Sequence, residues 1–359
     1  MIRGVWGKNM IDKVEQEIID AFSWLEVPKL ANLLRPSAGD WEEEQEIGQK
    51  LVGKNWLSLE QEFLVEEWSS FCYLSAEGYR YYLSSLLTKC LSNFSEDNDL
   101  IHSTVFSLIP SFHSLYYCSK DEDFEYQTSL FTSEQYKAVC SFLGLVFDTL
   151  PQLKFLSAQA LRWGWNKQTH PAQAKSEEFY RSLHNYQYPL SKDPQVRELQ
   201  QQINAAFEKT PYPGDNSLCG SDLGDEPAEY AMEFRGLSWK TLHPDFLGRN
   251  SAALSFFTDE GFRYFLSAFL IADLIIPEIE GAWSNADAVF HLTYGLVDEE
   301  FEREDNFNWY EIATRKFSHF NKEERKAIVS YLEYYSLKDE YSRERINKAL
   351  ESYWLKTLL

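Results

Sequence analysis

After Ser75 the apolar side chains fall at positions 79, 82, 83, 86, 87, 90 and 91. That spacing of three, one, three, one predicts an amphipathic helix over 75–91. The same rhythm returns at 262, 265, 266, 269, 270 and 274, predicting a second helix over 258–274. Ser75 and Thr258 suit the N-cap, and Glu77 and Glu260 follow in the first turn, where the helix dipole favours a carboxylate. Helical periodicity also marks 11–23, 132–147 and 153–165, and again 196–208, 321–335 and 339–355. Thr132 and Asn321 read as caps, each with a glutamate close behind. No segment alternates cleanly between polar and apolar; a short β-hairpin is allowed near 234–242 or 290–297. The expected fold class is mainly α.

The two helices carry nearly the same octet, EGYRYYLS at 77–84 and EGFRYFLS at 260–267. The match extends without a gap from 55–91 to 238–274, pairing Trp56 with Trp239 and Phe63-Leu64 with Phe246-Leu247. FHSLYYCSKDEDFE (112–125) parallels FHLTYGLVDEEFE (290–302), and FTSEQYKAVCSFL (131–143) parallels FNKEERKAIVSYL (320–332). QALRWGWN (159–166) parallels KALESYWL (348–355). The order of blocks is preserved, so the chain reads as a tandem duplication. Unit one covers 11–166 and unit two 196–355. A polar, proline-punctuated connector at 167–195 has room for one short helix. Each unit is long enough to bury its own core.

Comparing the copies separates two kinds of position. On the central helix the apolar residues drift: Tyr79 to Phe262, Tyr82 to Phe265, Leu86 to Phe269. Glu77, Arg80, Tyr81 and Ser84 return unchanged as Glu260, Arg263, Tyr264 and Ser267. Their spacing of i, i+3, i+4, i+7 makes one polar stripe. A half-buried network would keep such a stripe constant, since losing one member strands the others. A partner surface anchored on Glu77, Arg80, Tyr81, Glu260, Arg263 and Tyr264 would do so as well. Gly78 and Gly261, in the first turn, point to close approach by another backbone or side chain.

The net charge of −22 disfavours nucleic acid and anionic lipid and favours a basic protein partner. Apolar residues at 44% and aromatic residues at 16% exclude wholesale disorder. No apolar run reaches membrane-spanning length, and the N-terminus lacks a secretory pattern. The five scattered cysteines, Cys72, Cys90, Cys118, Cys140 and Cys219, fit buried reduced thiols in a cytoplasmic protein.

His113 and His291 occupy matching places, each ahead of an acidic run: Asp121, Glu122, Asp123, Phe124 and Glu125, or Asp298, Glu299, Glu300, Phe301 and Glu302. A metal site on His113 or His291 would want a second ligand at helical spacing, and no H-x-x-E or H-x-x-x-H supplies one. A hydrogen-bonded core histidine is the simpler reading. The acidic runs read as solvated loops or as contact surfaces for a basic partner. Phe124 and Phe301 would tuck into the core or anchor that partner. The run at 39–46 reads as a solvated face, and GSDLGDE (220–226) as a loop. No nucleophile elbow, P-loop or dinucleotide fingerprint is present, and no cofactor is implied.

Taken together, the blocks resemble a family of uncharacterised bacterial proteins. Its pattern runs I-x-x-A-F with P-x-P, then W with F-L, then E-x-F-R-Y-Y-L-P-A-F-L, then F-T-x-E-Q. The residues that carry it are Ile19, Ala21, Phe22, Pro28, Trp56, Glu77–Leu83, Phe131, Thr132, Glu134 and Gln135. In the second copy they are Ile203, Ala206, Phe207, Trp239, Glu260–Leu270, Phe320 and Ala327. Ser84 and Ser267 stand where the pattern has proline. The resemblance implies a helical fold and no catalytic residues. The expected function is a non-enzymatic, acidic protein-interaction module, an antagonist or immunity-type binder of a basic protein. The alternatives are an enzyme with a pocket lined by Tyr, Arg and His between the units, and a structural subunit of a larger assembly.

Overall fold

A computed structural model of the chain describes residues 5–35, 42–95, 97–112, 122–278, 286–297 and 308–359. The chain divides into two units, Met1–Tyr180 and Arg181–Leu359. Each is helical, and each is organised around its copy of the octet helix. In the first unit Val5–Phe22 packs on Ala76–Ser92 and on Ser133–Thr149. In the second, Pro194–Phe207 packs on Asp259–Ile275 and on Lys322–Lys338. Among the described residues no helix is long and apolar enough to cross a membrane.

The helix starts lie where the polar residues place them. Ser75 accepts from the Gly78 backbone N–H, and Thr258 from that of Gly261. Thr132 and Asn321 each close a capping box, with Gln135 and Glu324 reaching back to the cap. The Ser75 and Thr258 hydroxyls also donate, to the carbonyls of Asn32 and Ser217. A hydroxyl does both jobs at once and a carboxylate does not. That explains Ser and Thr at caps where Asp would ordinarily serve as well.

The hairpin allowed near 234–242 or 290–297 does not form. The first stretch ends the helix Glu226–Phe234 and passes into a 3₁₀ turn at Trp239–Thr241; the second contains the helix Ala288–Thr293. The β pairing among the described residues is two isolated bridges, Leu34 to Leu74 and Cys219 to Phe257. They occupy equivalent places, just before the two central helices, where Leu33 O accepts from Ser75 N and Leu218 O from Thr258 N, each at 2.9 Å. Gly78 sits beneath this crossing, and a Cβ there would lie 2.4 Å from the Leu33 carbonyl oxygen. At Gly261 the nearest atoms to such a Cβ are 3.2 Å away.

The central helices are not amphipathic in the way their spacing predicts. Ala76–Ser92 and Asp259–Ile275 are buried on most of their circumference, including Tyr81, Ser84, Ser85, Thr88, Tyr264 and Ser267. Polar residues tolerate this because their hydroxyls turn back onto the helix: Ser84 to Tyr81 O, Ser85 to Tyr82 O, Ser267 to Tyr264 O. Within the run at 39–46, Glu42 opens the helix Glu42–Leu51, with Glu44, Ile47 and Leu51 buried. Residues 220–225 are irregular, as expected of a loop. The connector carries the helix Pro171–His184.

Of the cysteines, Cys90 and Cys140 are buried, but Cys72 is exposed and Cys219 intermediate, so burial does not extend to all the thiols. Cys118 lies outside the described residues. Of the two acidic runs, the second, 298–302, lies outside the described residues. The first opens the helix Glu122–Thr128, which directly precedes Phe131. The element preceding Phe320, the counterpart of Phe131, is Trp309–Ser318, well beyond 298–302. Counting back from these phenylalanines pairs Phe124 with Ala313, Gln127 with Lys316 and Thr128 with Phe317. Two hydrogen bonds support that register: Gln127 Nε2 donates to Phe71 O at 3.4 Å, and Lys316 Nζ to Leu254 O at 3.5 Å. Phe71 and Leu254 are themselves equivalent in the gapless 55–91 match.

Candidate functional site

The unchanged stripe forms an internal lock in each unit. Arg80 Nε donates to Gln135 Oε1 at 2.7 Å, and Gln135 Nε2 donates to Ala21 O at 3.1 Å. The Arg80 guanidinium also lies 4.9 Å from the Trp24 ring centroid. Three helices of the core meet through these contacts. In the second unit Arg263 Nε and Nη2 hold both carboxylate oxygens of the fully buried Glu324, at 2.9–3.1 Å, and Thr210 Oγ1 donates to Glu324 at 2.6 Å. Gln135 and Glu324 are also the capping-box residues of their helices, so one side chain serves the helix start and the arginine together.

Tyr81 is 2% exposed and Tyr264 8%. Tyr81 Oη accepts from Trp56 N at 3.4 Å, and Tyr264 packs edge-on against Tyr212 with centroids 5.2 Å apart. Neither tyrosine has surface to offer a partner. Glu77 and Glu260 are exposed, Glu77 accepting from Asn32 Nδ2 at 3.1 Å. Asp123 is exposed and pairs with Arg35. Phe124 tucks inward, edge-on to the Trp165 ring at 5.9 Å. Glu122 opens the helix Glu122–Thr128. His113, Asp121, Asp298, Glu299, Glu300 and Phe301 lie outside the described residues.

His291 is buried. Its Nε2 lies 2.8 Å from Ser251 O and its Nδ1 3.4 Å from Ser255 Oγ. A carbonyl only accepts, so Nε2 carries the proton and Nδ1 faces the serine hydroxyl as acceptor. Burial, with the Lys316 charge alongside, pushes its pKa down to about 4, so the ring is neutral near pH 7. Among the described residues no group of three or more His, Cys, Asp or Glu could hold a metal ion.

His291 lines a cavity of about 370 Å³ in the second unit, with Ser255, Lys316 and the rings of Phe262, Phe290, Tyr294, Trp309 and Phe317. Arg263 is not among the lining residues, so the histidine and the arginine lock do not converge there. Sequence reasoning missed this site. Of the lining residues only His291 was a candidate in the sequence, and nothing local marked Ala313.

A third feature is acidic. In the first unit the helices Glu42–Leu51 and Gln61–Glu67 both pack against the turn Trp68–Tyr73. Glu42, Glu43, Glu46, Glu60, Glu62 and Glu66 are exposed there. Lys50 bridges Glu46 and Glu67, and these carboxylates raise its pKa. Val65 is 42% exposed, and Leu57, in the preceding turn Trp56–Ser58, is 57% exposed. Glu62, Val65 and Glu66, spaced i, i+3, i+4, share one helix face.

Comparison with the curated proteins and with the solved structures returns no match. One family model matches, described as a Family of unknown function (DUF6714), over residues 36–169 and again over 195–358. With most of its length covered by two successive matches, the chain belongs to this family and carries its domain twice.

Proposed function

We propose that the protein works by binding a basic protein through its acidic surface, as an antagonist or immunity-type partner. The observation that carries this reading is the acidic surface of Glu42–Leu51 and of the segment from Glu60 to Glu67, with six exposed glutamates and the exposed side chain of Val65. Among the described residues Lys50 is the cation that pairs with these two helices' carboxylates. An acidic field over exposed apolar side chains suits a partner whose lysines and arginines ring an apolar centre: the field speeds encounter and the apolar contacts hold the complex. The same field opposes nucleic acid and anionic lipid.

A reducing cytoplasm fits the free thiols of Cys72, Cys90, Cys140 and Cys219. The octet stretches Glu77–Leu83 and Glu260–Leu270 support the E-x-F-R-Y-Y-L-P-A-F-L core and, with it, a bacterial source. No catalytic role is assigned.

The test is capture with the tagged full-length chain from its source cell, run beside the charge-reversed pair Glu62→Lys and Glu66→Lys. A stoichiometric basic protein is expected, released by raised salt and absent from the reversed variant, whose helicity stays unchanged by circular dichroism. A partner that survives both salt and charge reversal, or no stoichiometric partner at all, overturns the reading.

A further inference from the structure

The two copies of the domain serve as controls for one another, and they differ at the His291 cavity. In the register set by the FT and FN caps, Ala313 corresponds to Phe124 of the first unit, whose ring packs on Trp165 and beside Gly164. The second unit has Ala313 there, and Ala313 lines the cavity. The exchange removes a phenyl ring at this position, and Tyr353, which stands at the place of Gly164, returns a ring that packs on Phe317 and Trp354. The remaining walls are flat and aromatic: Phe262, Phe290, Tyr294, Trp309 and Phe317.

The second difference is charge. Gln127 of the first unit is neutral, while Lys316 at the equivalent place brings an ammonium into an aromatic wall. That ammonium reaches Leu254 O at 3.5 Å and lies 4.7 Å from the Phe262 ring centroid. Among the described residues no carboxylate is within ion-pair distance of it; Asp259, whose charge acts on it, pairs with Arg315 at 3.3 Å and lies 3.6 Å from His319. A half-buried ammonium held by one long hydrogen bond and one ring has donor capacity left over. Burial lowers its pKa, with the charge of Asp259 acting in the opposite direction. His291 supplies no counter-ion, being neutral and occupied with Ser251 O and Ser255.

We propose that this cavity binds a small molecule consisting of a flat apolar body and a single carboxylate, the carboxylate on Lys316 and the body among Phe262, Phe290, Tyr294, Trp309 and Phe317. The volume falls within the range of small-ligand sites, which are mostly apolar with a few placed polar groups. A ligand carboxylate would pair with the Lys316 ammonium, for which the described residues supply no ion-pair partner, and charge-assisted bonds are the strong ones. The proposal is independent of the acidic face on the first unit.

The test is isothermal calorimetry on the full-length chain with 1-naphthoate, using 1-naphthalenemethanol as the neutral counterpart. One naphthoate site is expected, with the alcohol about tenfold weaker or worse. Lys316→Gln, which installs the residue the other copy carries, should erase that difference with the circular dichroism spectrum unchanged. Ala313→Phe, again the other copy's residue, should abolish binding of both. Should Ala313→Phe fail to fold, the Lys316→Gln comparison decides alone. Absence of naphthoate binding at millimolar concentration, equal binding of acid and alcohol, or an unchanged preference in Lys316→Gln overturns the proposal.

Discussion

Arg263 grips the buried carboxylate of Glu324 through three hydrogen bonds, while its counterpart Arg80 grips the amide of Gln135 through one. The same lock is built once with a charge and once without. Truncating Glu324 would leave Arg263, the Thr210 hydroxyl and the Asn321 N–H without their acceptor. Glu324→Ala is therefore expected to cost about 3–5 kcal/mol. Glu324→Gln, copying the first unit, should cost much less, since an amide oxygen still accepts from arginine and cap. Urea unfolding of the two variants checks the order; equal losses would show that acceptor geometry is not what matters.

The cap hydroxyls make a second prediction. Asp normally equals Ser at an N-cap. Here Ser75 and Thr258 also donate to Asn32 O and Ser217 O. Ser75→Asp would set a carboxylate against a carbonyl, and we expect a loss of about 1–3 kcal/mol. Thermal unfolding should rank Ser75→Asp no better than Ser75→Ala. A variant as stable as the parent would mean that the donated bond contributes nothing.

Gly78 and Gly261 should respond unequally to alanine. At Gly78 the added methyl meets a backbone oxygen at 2.4 Å, and backbone cannot swing aside. Gly78→Ala is expected to cost about 1–3 kcal/mol. At Gly261 the contacts of 3.2 Å are tight but set against a gain in helix propensity, so a change within about 1 kcal/mol is expected. Denaturation midpoints measured side by side decide it.

Two buried groups in the second unit pull stability in opposite directions with pH. His291 is held down to about 4 against an ordinary 6.5, chiefly by burial. Between those values the unfolded chain binds the extra proton, so this group costs stability as pH falls. Asp273 is pushed up to about 6 from an ordinary 3.8, again by burial, although Ala288 N, Tyr331 Oη and Ala286 N all donate to it. Between those values the folded chain holds the extra proton, so this group adds stability as pH falls. The effects oppose each other between about pH 4 and 6. Asp273→Asn removes the second, so stability of the variant should drop more steeply on acidification, by at most about 1.4 kcal/mol per pH unit. Urea titrations across that window test it, and parallel slopes would refute it.

Much of the architecture was legible in the sequence because helix starts and periodicity are local. Ser75, Thr132, Thr258 and Asn321 cap their helices through atoms within three residues, and the duplication exposed which positions vary together. The polar stripe was harder. Its spacing left a half-buried network and a partner surface both open, and only the packed structure shows that Ser84 and Ser267 satisfy themselves on their own helix and are buried. The cavity was not legible at all, since it depends on what faces Ala313 across the fold.

Order, caps and the doubling of the domain were thus settled along the chain itself, where neighbours in sequence supply the hydrogen bonds. Whether Tyr81 meets solvent, whether Arg263 meets a partner or Glu324, and whether Lys316 has a counter-ion were decided by residues tens of positions away. Burial and charge pairing are properties of the packed interior, and the packing alone brings those groups together.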